Sequence, residues 1–376
     1  MKTIYRSTLV QGVCCFLLIG GLLAPAAEAV KFRTEAGQLQ QSKFVIAIPE
    51  SWNGKLLLLA HGYRPENAPL SADFRTESPT YQHLLADGWM IASTSYRRNG
   101  AIVVDAVADI ELLRQHIVQT YGAPERVLVQ GSSMGGAIVT LIAETAPEGY
   151  DGLLALGAAL QVRDAEQPHE WSYTPRLPLL FVSNQSEVEG PQAYIQKAVQ
   201  AQHSPGTPPQ AYIEKMVNAP IVPVFWSVAR DGHVNLRDIE QETALRALDA
   251  YLETGVIERD KDATIAPDHV SSAEFVEGGA YTKIESISST YGNINTEFIE
   301  GDLQQLGISS KTRFQVSYGE QTFTVLLATT YGDVPRGEWV AFLTAEGRLR
   351  IARNYENASK TLGCKEGDKI FIAPAE

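Results

Sequence analysis

Val127-Leu128-Val129-Gln130-Gly131-Ser132-Ser133-Met134-Gly135-Gly136 decides the fold of this chain. An apolar strand runs into Gly-x-Ser-x-Gly, and the run Ala137 to Ala146 continues as a helix. A serine at such a strand-to-helix turn is forced out of the backbone and exposed, and glycines on either side permit the sharp bend. The new helix also aims its free N–H groups at whatever the serine attacks. Ser133 is therefore the candidate nucleophile. The competing reading is a glycine-rich turn with an idle serine; the strand before it and the helix after it favour the nucleophile.

A serine so placed needs an oxyanion loop upstream, then an acid and a histidine downstream. Lys55-Leu56-Leu57-Leu58-Leu59-Ala60 reads as a buried strand ending in the loop His61-Gly62-Tyr63. The backbone N–H groups of Tyr63 and Met134 are the candidate oxyanion donors. His61 precedes the serine, so it reads as shaping the loop and not as the base. The strand Pro178 to Val182 leads into Ser183-Asn184-Gln185-Ser186-Glu187-Val188-Glu189-Gly190-Pro191. Glu187 is the candidate acid, with Glu189 and Asp164 as alternatives. Any of the three could instead be a solvated loop carboxylate.

The histidine follows the strand Val222 to Val228, in Arg230-Asp231-Gly232-His233-Val234-Asn235. A helix from Ile239 to Thr254 comes next, with Gly255 as its cap. A histidine in the last loop before a closing helix can reach back over the sheet edge to the serine. Its imidazole can take and return a proton near neutral pH. His83, His116, His169, His203 and His269 lie in helices or polar loops without such a position.

In these residues the chain resembles the α/β-hydrolase family, over about residues 40–256. The resemblance rests on His61-Gly62-Tyr63, Gly131-Ser132-Ser133-Met134-Gly135, Glu187 with Pro191, and Asp231-Gly232-His233. The order serine, acid, histidine is the family's own, and it implies a Ser133, Glu187, His233 triad. Trp52-Asn53-Gly54-Lys55 and Pro147-Glu148-Gly149-Tyr150-Asp151-Gly152 look like a group of secreted esterases within it. Glutamate at 187 departs from the commoner aspartate and moves the carboxylate outward by one methylene.

A chain of 376 residues, 44% hydrophobic, has room for two or three domains with full cores. Its net charge of −13 argues against nucleic acid as a partner and disfavours adsorption to anionic lipid. Lys2 and Arg6, the short apolar run Val13 to Leu23, and Ala27-Glu28-Ala29 read as a cleaved signal peptide over residues 1–29. The mature chain then begins near Val30 and keeps only Cys364, so it has no internal disulfide. That combination fits a bacterial periplasmic or secreted protein, with no stable membrane association after cleavage. The alternative is an uncleaved membrane anchor.

Strands are expected at 43–48, 55–60, 88–94, 126–130, 152–157, 178–183 and 222–228. An amphipathic helix carries Val103, Val107, Ile110, Leu113, Ile117 and Tyr121, and Gly122 caps it. Alternation of this kind builds a mostly parallel sheet with helices on both faces. The connection from Leu160 to Pro178 is short, so any lid is small and the site open. His169, Trp171 and Tyr173 either line its rim or pack on the surface.

The segment 258–272 is charged, contains Pro267 and reads as a linker. Beyond it, over 273–376, helices nearly vanish. Strand-like runs at 281–287, 312–318, 321–328, 338–343, 348–352 and 369–373 suggest a small β-barrel or sandwich, with one short helix near Asn357 to Leu362. This part resembles the C-terminal β-domain of the S-adenosylmethionine hydroxide adenosyltransferase and fluorinase family. The matching residues are Tyr291-Gly292-Asn293-Ile294-Asn295-Thr296, Gly337 to Leu343, Gly347 to Ala352, Arg353 to Ala358 and Gly367-Asp368. The resemblance implies a domain that helps hold adenine, with Arg353, Asn354 and Ala358 as candidate ligand-binding residues. That family's N-terminal domain is replaced here by a hydrolase, and Glu297 stands where the family has asparagine. A structural module, or one through which copies of the chain oligomerise, is the other reading.

The expected function is hydrolysis of a carboxylic ester, from a small molecule or derived from a polymer, through an acyl-enzyme on Ser133. No metal or cofactor is called for. Acyl transfer or amide hydrolysis by the same triad is the second reading. A binding protein whose β-domain captures a nucleoside-like ligand is the third.

Overall fold

The computed structural model describes residues 30–145, 148–202, 221–267, 269–288 and 291–375. The expected signal peptide, Pro147 and His203 lie outside the described residues.

The first part is a nine-stranded sheet of order β1-β2-β4-β3-β5-β6-β7-β8-β9. Strands β1 (Phe32–Leu39) and β2 (Ser42–Pro49) form an antiparallel hairpin, and β2 runs antiparallel to β4 (Met90–Thr94). All other neighbours are parallel: β3 (Lys55–Ala60), β5 (Arg126–Ser132), β6 (Gly152–Leu156), β7 (Leu179–Asn184), β8 (Val224–Val228) and β9 (Asp260–Asp262). The central strands are apolar without a break because both faces are covered. Val127 and Val129 of β5 join the core under helices α2 (Val104–Tyr121) and α3 (Met134–Thr145). Leu128 and Gln130 alternate to the other face. There α1 (Pro79–Ala86) packs on α5 (Asp238–Thr254), and Tyr81 of α1 meets Gln130. Helix α4 is Glu189–Gln202.

The fold matches the expected α/β class, with two additions. Strand β1 is not legible in the sequence, because it is mostly polar and its residues stay largely exposed at the sheet edge. Strand β9 comes from the segment read as linker. It pairs with β8, and Ile265 beyond it donates its N–H to the buried Glu240 carboxylate. The hydrolase sheet therefore extends to Asp262, past the expected boundary at 257.

The connection from Leu160 to Pro178 is short, as expected, and it is tied down. Glu144 at the end of α3 accepts the N–H groups of Ser172 and Tyr173 and the Tyr194 hydroxyl. Trp171 and Tyr173 pack against the core beside Tyr194, and His169 meets Trp171 edge-on.

The second part is a barrel. Its strands are β10 (Glu274–Val276), β11 (Gly279–Ile287), β12 (Ile294–Ile299), β13 (Arg313–Tyr318), β14 (Gln321–Leu327), β15 (Trp339–Leu343), β16 (Arg348–Arg353) and β17 (Lys369–Pro374). They run in the order β10-β11-β12-β16-β15-β14-β13-β17, and β11 pairs with β17 to close seven of them into a ring. Closure removes the exposed edges that an open sheet of this size would carry. Phe298, Phe314, Ile351 and Ile370 fill the interior. Helix α6 (Glu300–Gln305) follows β12, and α7 (Ala358–Leu362) follows β16.

The Tyr291-Gly292-Asn293 motif has a packing role in this barrel. Gly292 has φ of 67°, and a side chain there would begin 2.0 Å from Asn357 Oδ1. Asn357 in turn caps α7 through the Lys360 N–H. Cys364 is buried, and burial raises its thiol pKa to about 11, so it stays protonated and inert. Residues Lys31–Glu376 form one compact unit, and the barrel touches the hydrolase directly. Asn235 Nδ2 donates to the Leu343 carbonyl, and Arg237 pairs with Glu346 at 2.9 Å.

Candidate active site

Ser133 sits at the turn between β5 and α3 with φ of 58°. The left-handed conformation is costly for a residue with a Cβ, about 1–3 kcal/mol, and persists only where the surroundings impose it. Here Ser133 N–H donates to the Leu156 carbonyl at 2.9 Å, and its own carbonyl accepts from Gly136 and Ala159. The flanking glycines are sterically required. A side chain at Gly131 would begin 2.0 Å from the Gly135 oxygen, and one at Gly135 would begin 2.0 Å from the Ala60 oxygen.

His233 Nε2 lies 2.7 Å from Ser133 Oγ, and His233 Nδ1 lies 2.5 Å from Glu187 Oε2. The second Glu187 oxygen accepts the Val234 N–H at 3.0 Å. With its carboxylate held at both oxygens, Glu187 fixes Nδ1 as the protonated nitrogen and leaves the Nε2 lone pair facing Ser133. The acid and histidine loops are stapled together. Asn184 exchanges two hydrogen bonds with the backbone of Asn235, and Ser186 bonds both the N–H and the carbonyl of Gly232. Arg230 and the fully buried Glu240 form a two-pronged ion pair beneath the histidine loop, at 3.0 Å on each prong.

Neither alternative acid bonds the histidine. Asp164 is buried and pairs with Arg98 at 2.7 Å. Glu189 is exposed in the first turn of α4 and makes no bond to His233.

The loop after β3 lies over the serine. A side chain at Gly62 would begin 3.3 Å from Ser133 Cβ. Tyr63 follows it, and Met134 opens α3. Neither N–H has a protein acceptor among the described residues, so both are free to bind an oxygen near Oγ. His61 shapes this loop. It stacks on Tyr96 at 4.0 Å, and its Nδ1 lies 2.7 Å from the Gly62 carbonyl. Burial first, and Arg64 second, lower its pKa to about 4, so it is neutral at physiological pH.

Two spaces open from His233. A pocket of about 320 Å³ lies along Gly157 to Gln161 and Glu187 to Gly190. A cleft of about 820 Å³ runs from Ser132 and the 232–236 loop to the barrel. The candidates Arg353, Asn354 and Ala358 do not line it. Arg353 is held by Glu356, Thr361 and the Gly337 carbonyl and stacks near Trp339; Asn354 Nδ2 donates to the Val334 carbonyl; Ala358 is fully buried. Sequence alone does not single out the barrel residues that face the cleft. Arg350 lies inside a quoted motif, but only the strand register shows which way it faces.

Comparison with known proteins agrees with this architecture. Residues 94–206 match the family model described as serine aminopeptidase, S33, and residues 284–371 match that of the SAM hydroxide adenosyltransferase C-terminal domain. The chain thus joins an α/β-hydrolase part to a C-terminal domain of the SAM hydroxide adenosyltransferase type. An o-phthalyl amidase from Xanthobacter agilis is 31% identical over 136 residues, 35% of this chain and 28% of that protein. The chain therefore spans little more than a quarter of that relative. Among solved structures, an esterase from Pyrococcus furiosus is 13% identical with a TM-score of 0.42, covering 60% of this chain and 91% of that one. An uncharacterized conserved protein from Thermotoga maritima is 26% identical with a TM-score of 0.26, covering 34% and 49%.

Proposed function

We propose that the chain is a serine hydrolase that cleaves carboxylic esters through an acyl-enzyme on Ser133. The observation that carries this reading is His233 bridging Ser133 Oγ and Glu187 at 2.7 and 2.5 Å. Ser133 Oγ attacks the carbonyl while His233 Nε2 takes its proton. Glu187 stabilises the imidazolium through Nδ1–H, and the Tyr63 and Met134 N–H groups hold the oxyanion. His233 then returns the proton to the leaving alcohol. A water activated by the same nitrogen hydrolyses the acyl-enzyme and frees Ser133.

The similarity to an o-phthalyl amidase favours amide cleavage as the second reading. The same groups serve it, since the proton returned by His233 is what an amine leaving group requires. An intact, bonded set of three side chains argues against a degenerate hydrolase that only binds.

The leader composition supports export to the periplasm or beyond, with a mature end near Val30. Among the described residues no helix is long and apolar enough to cross a membrane. The deciding experiment is reaction with a fluorophosphonate probe, with the labelled peptide sequenced. Matched p-nitrophenyl acetate and p-nitroacetanilide assays then separate ester from amide. A label at a residue other than Ser133, or none, defeats the reading. Cell fractionation and sequencing of the mature N-terminus test export.

A further inference from the structure

The cleft between hydrolase and barrel has an uneven charge balance. Three carboxylates line it, and each has a cation: Asp238 has Arg75 at 3.0 Å, Glu346 has Arg237 at 2.9 Å, and Glu285 has Arg348 at 3.9 Å. Arg350 of β16 also lines the cleft, and no carboxylate pairs with it among the described residues. Its Nε is spent on Asn295 Oδ1 at 2.7 Å, which fixes the plane of the guanidinium beside the Phe342 ring. The guanidinium also bonds the Tyr331 hydroxyl, which sets the two groups side by side and leaves its remaining outer N–H groups for an acceptor oxygen.

The neighbours of Arg350 suit the same ligand. The Tyr331 hydroxyl accepts from Asn293 Nδ2 at 2.6 Å and from the Arg350 guanidinium, so its own proton is left to be donated. The Tyr331 and Phe342 rings meet edge-on at 4.9 Å and 78°, giving the cleft an aromatic side next to its cation. Aromatic faces with one unpaired guanidinium are what an aryl ring carrying a carboxylate requires.

The position of the cleft says which part of a substrate would enter it. His233 hands its proton to the atom that departs, so the departing group lies on the histidine side of the serine. The cleft is bounded there by Gly232, His233 and Val234.

We propose that the barrel forms the leaving-group wall of the hydrolase, with Arg350 and the Tyr331 hydroxyl binding a carboxylate on an aryl alcohol or aryl amine leaving group. This rests on the hydrolase reading above and adds the substrate class. It also gives the fused domain a role at the active site that does not need adenosyl chemistry.

The test compares 3- and 4-acetoxybenzoate with phenyl acetate on the full chain, in wild type and in Arg350→Gln, Arg350→Lys and Tyr331→Phe. The quantity read is kcat/KM for the charged ester divided by that for phenyl acetate. Arg350→Gln lowers this ratio on the order of tenfold to a hundredfold through KM, the range for a hydrogen bond to a charged group. Arg350→Lys restores part of it, and Tyr331→Phe gives a smaller fall. Ratios equal in wild type and Arg350→Gln overturn the proposal while leaving the esterase standing. Should no ester be turned over, the hydrolase reading has failed separately, and the wall is read by titrating benzoate into the full chain by calorimetry. Binding that weakens in Arg350→Gln supports the subsite, and binding absent or unchanged overturns it.

Discussion

The side chain of Asn184 pairs with the backbone of Asn235 as a strand neighbour would, donating to its carbonyl at 2.9 Å and accepting its N–H at 2.7 Å. Asn235 then reaches the barrel through Leu343. One short path therefore joins the loop bearing Glu187, the loop bearing His233 and the second part of the chain. Neither loop belongs to a strand or long helix where the three groups meet, so this cross-bonding holds the constellation.

Replacing the nucleophile gives the largest effect. Ser133→Ala is expected to lower ester hydrolysis on the order of a million-fold, leaving only oxyanion and binding contributions. Ser132→Ala should cost far less. Steady-state p-nitrophenyl acetate assays with an unreactive contaminant control decide it; a Ser133→Ala enzyme with most of its activity would reduce the serine to a turn residue.

Glu187→Gln is expected to lower kcat on the order of ten-thousand-fold, because the amide favours the wrong imidazole tautomer and stabilises no imidazolium. The change keeps the acceptor for the Val234 N–H, so circular dichroism and melting should move little. Glu189→Gln is the comparison, and a larger loss there would transfer the role.

Gly157 lies behind the acid with φ of 51°, and a side chain on it would begin 2.5 Å from Glu187 Oε1. Gly157→Ala is thus expected to push the carboxylate off His233 and cost on the order of a hundredfold in kcat. Slower fluorophosphonate labelling of Ser133 in a folded protein is the confirming signature. An unaltered labelling rate would mean that the acid tolerates the shift.

His61 makes stability depend on pH. Its folded pKa of about 4 lies below the ordinary 6.5, so the unfolded chain binds the extra proton between these values. The contribution is present above pH 6.5 and is lost as pH falls toward 4. Between pH 7 and 5 this amounts to about 2 kcal/mol. Urea unfolding at both pH values should show His61→Asn losing less stability than wild type over that step. Equal losses would assign the acid sensitivity to other groups.

The sequence reached much of this because the decisive features are local. Gly131, Ser133 and Gly135 must adopt one turn, and the apolar runs of β3, β5, β6 and β7 are legible wherever both faces are buried. The positions of Glu187 and His233 followed from where strands end. What stayed hidden depends on register or on edges. Phe32 to Leu39 is too polar to read as a strand until β2 is there to pair with it. Asp260 to Asp262 is charged throughout and joins the sheet only through its backbone. Arg353 looked as available as Arg350 in sequence. The register of β15 against β16 turns Arg350 to the cleft, while Arg353 is engaged by Glu356 and the Gly337 carbonyl.

Strand β9 has a consequence for how tightly the barrel must hold. After Ala266, whose carbonyl is bound by Arg237, only residues 267–273 precede β10. Seven residues span at most about 25 Å even when drawn straight. Such a tether keeps the barrel near the cleft at an effective concentration on the order of millimolar. Contacts as modest as Asn235 to Leu343 and Arg237 to Glu346 can then suffice, where two separate proteins would need a far larger interface. A barrel supplied in trans to the hydrolase should consequently fail to dock at micromolar concentrations.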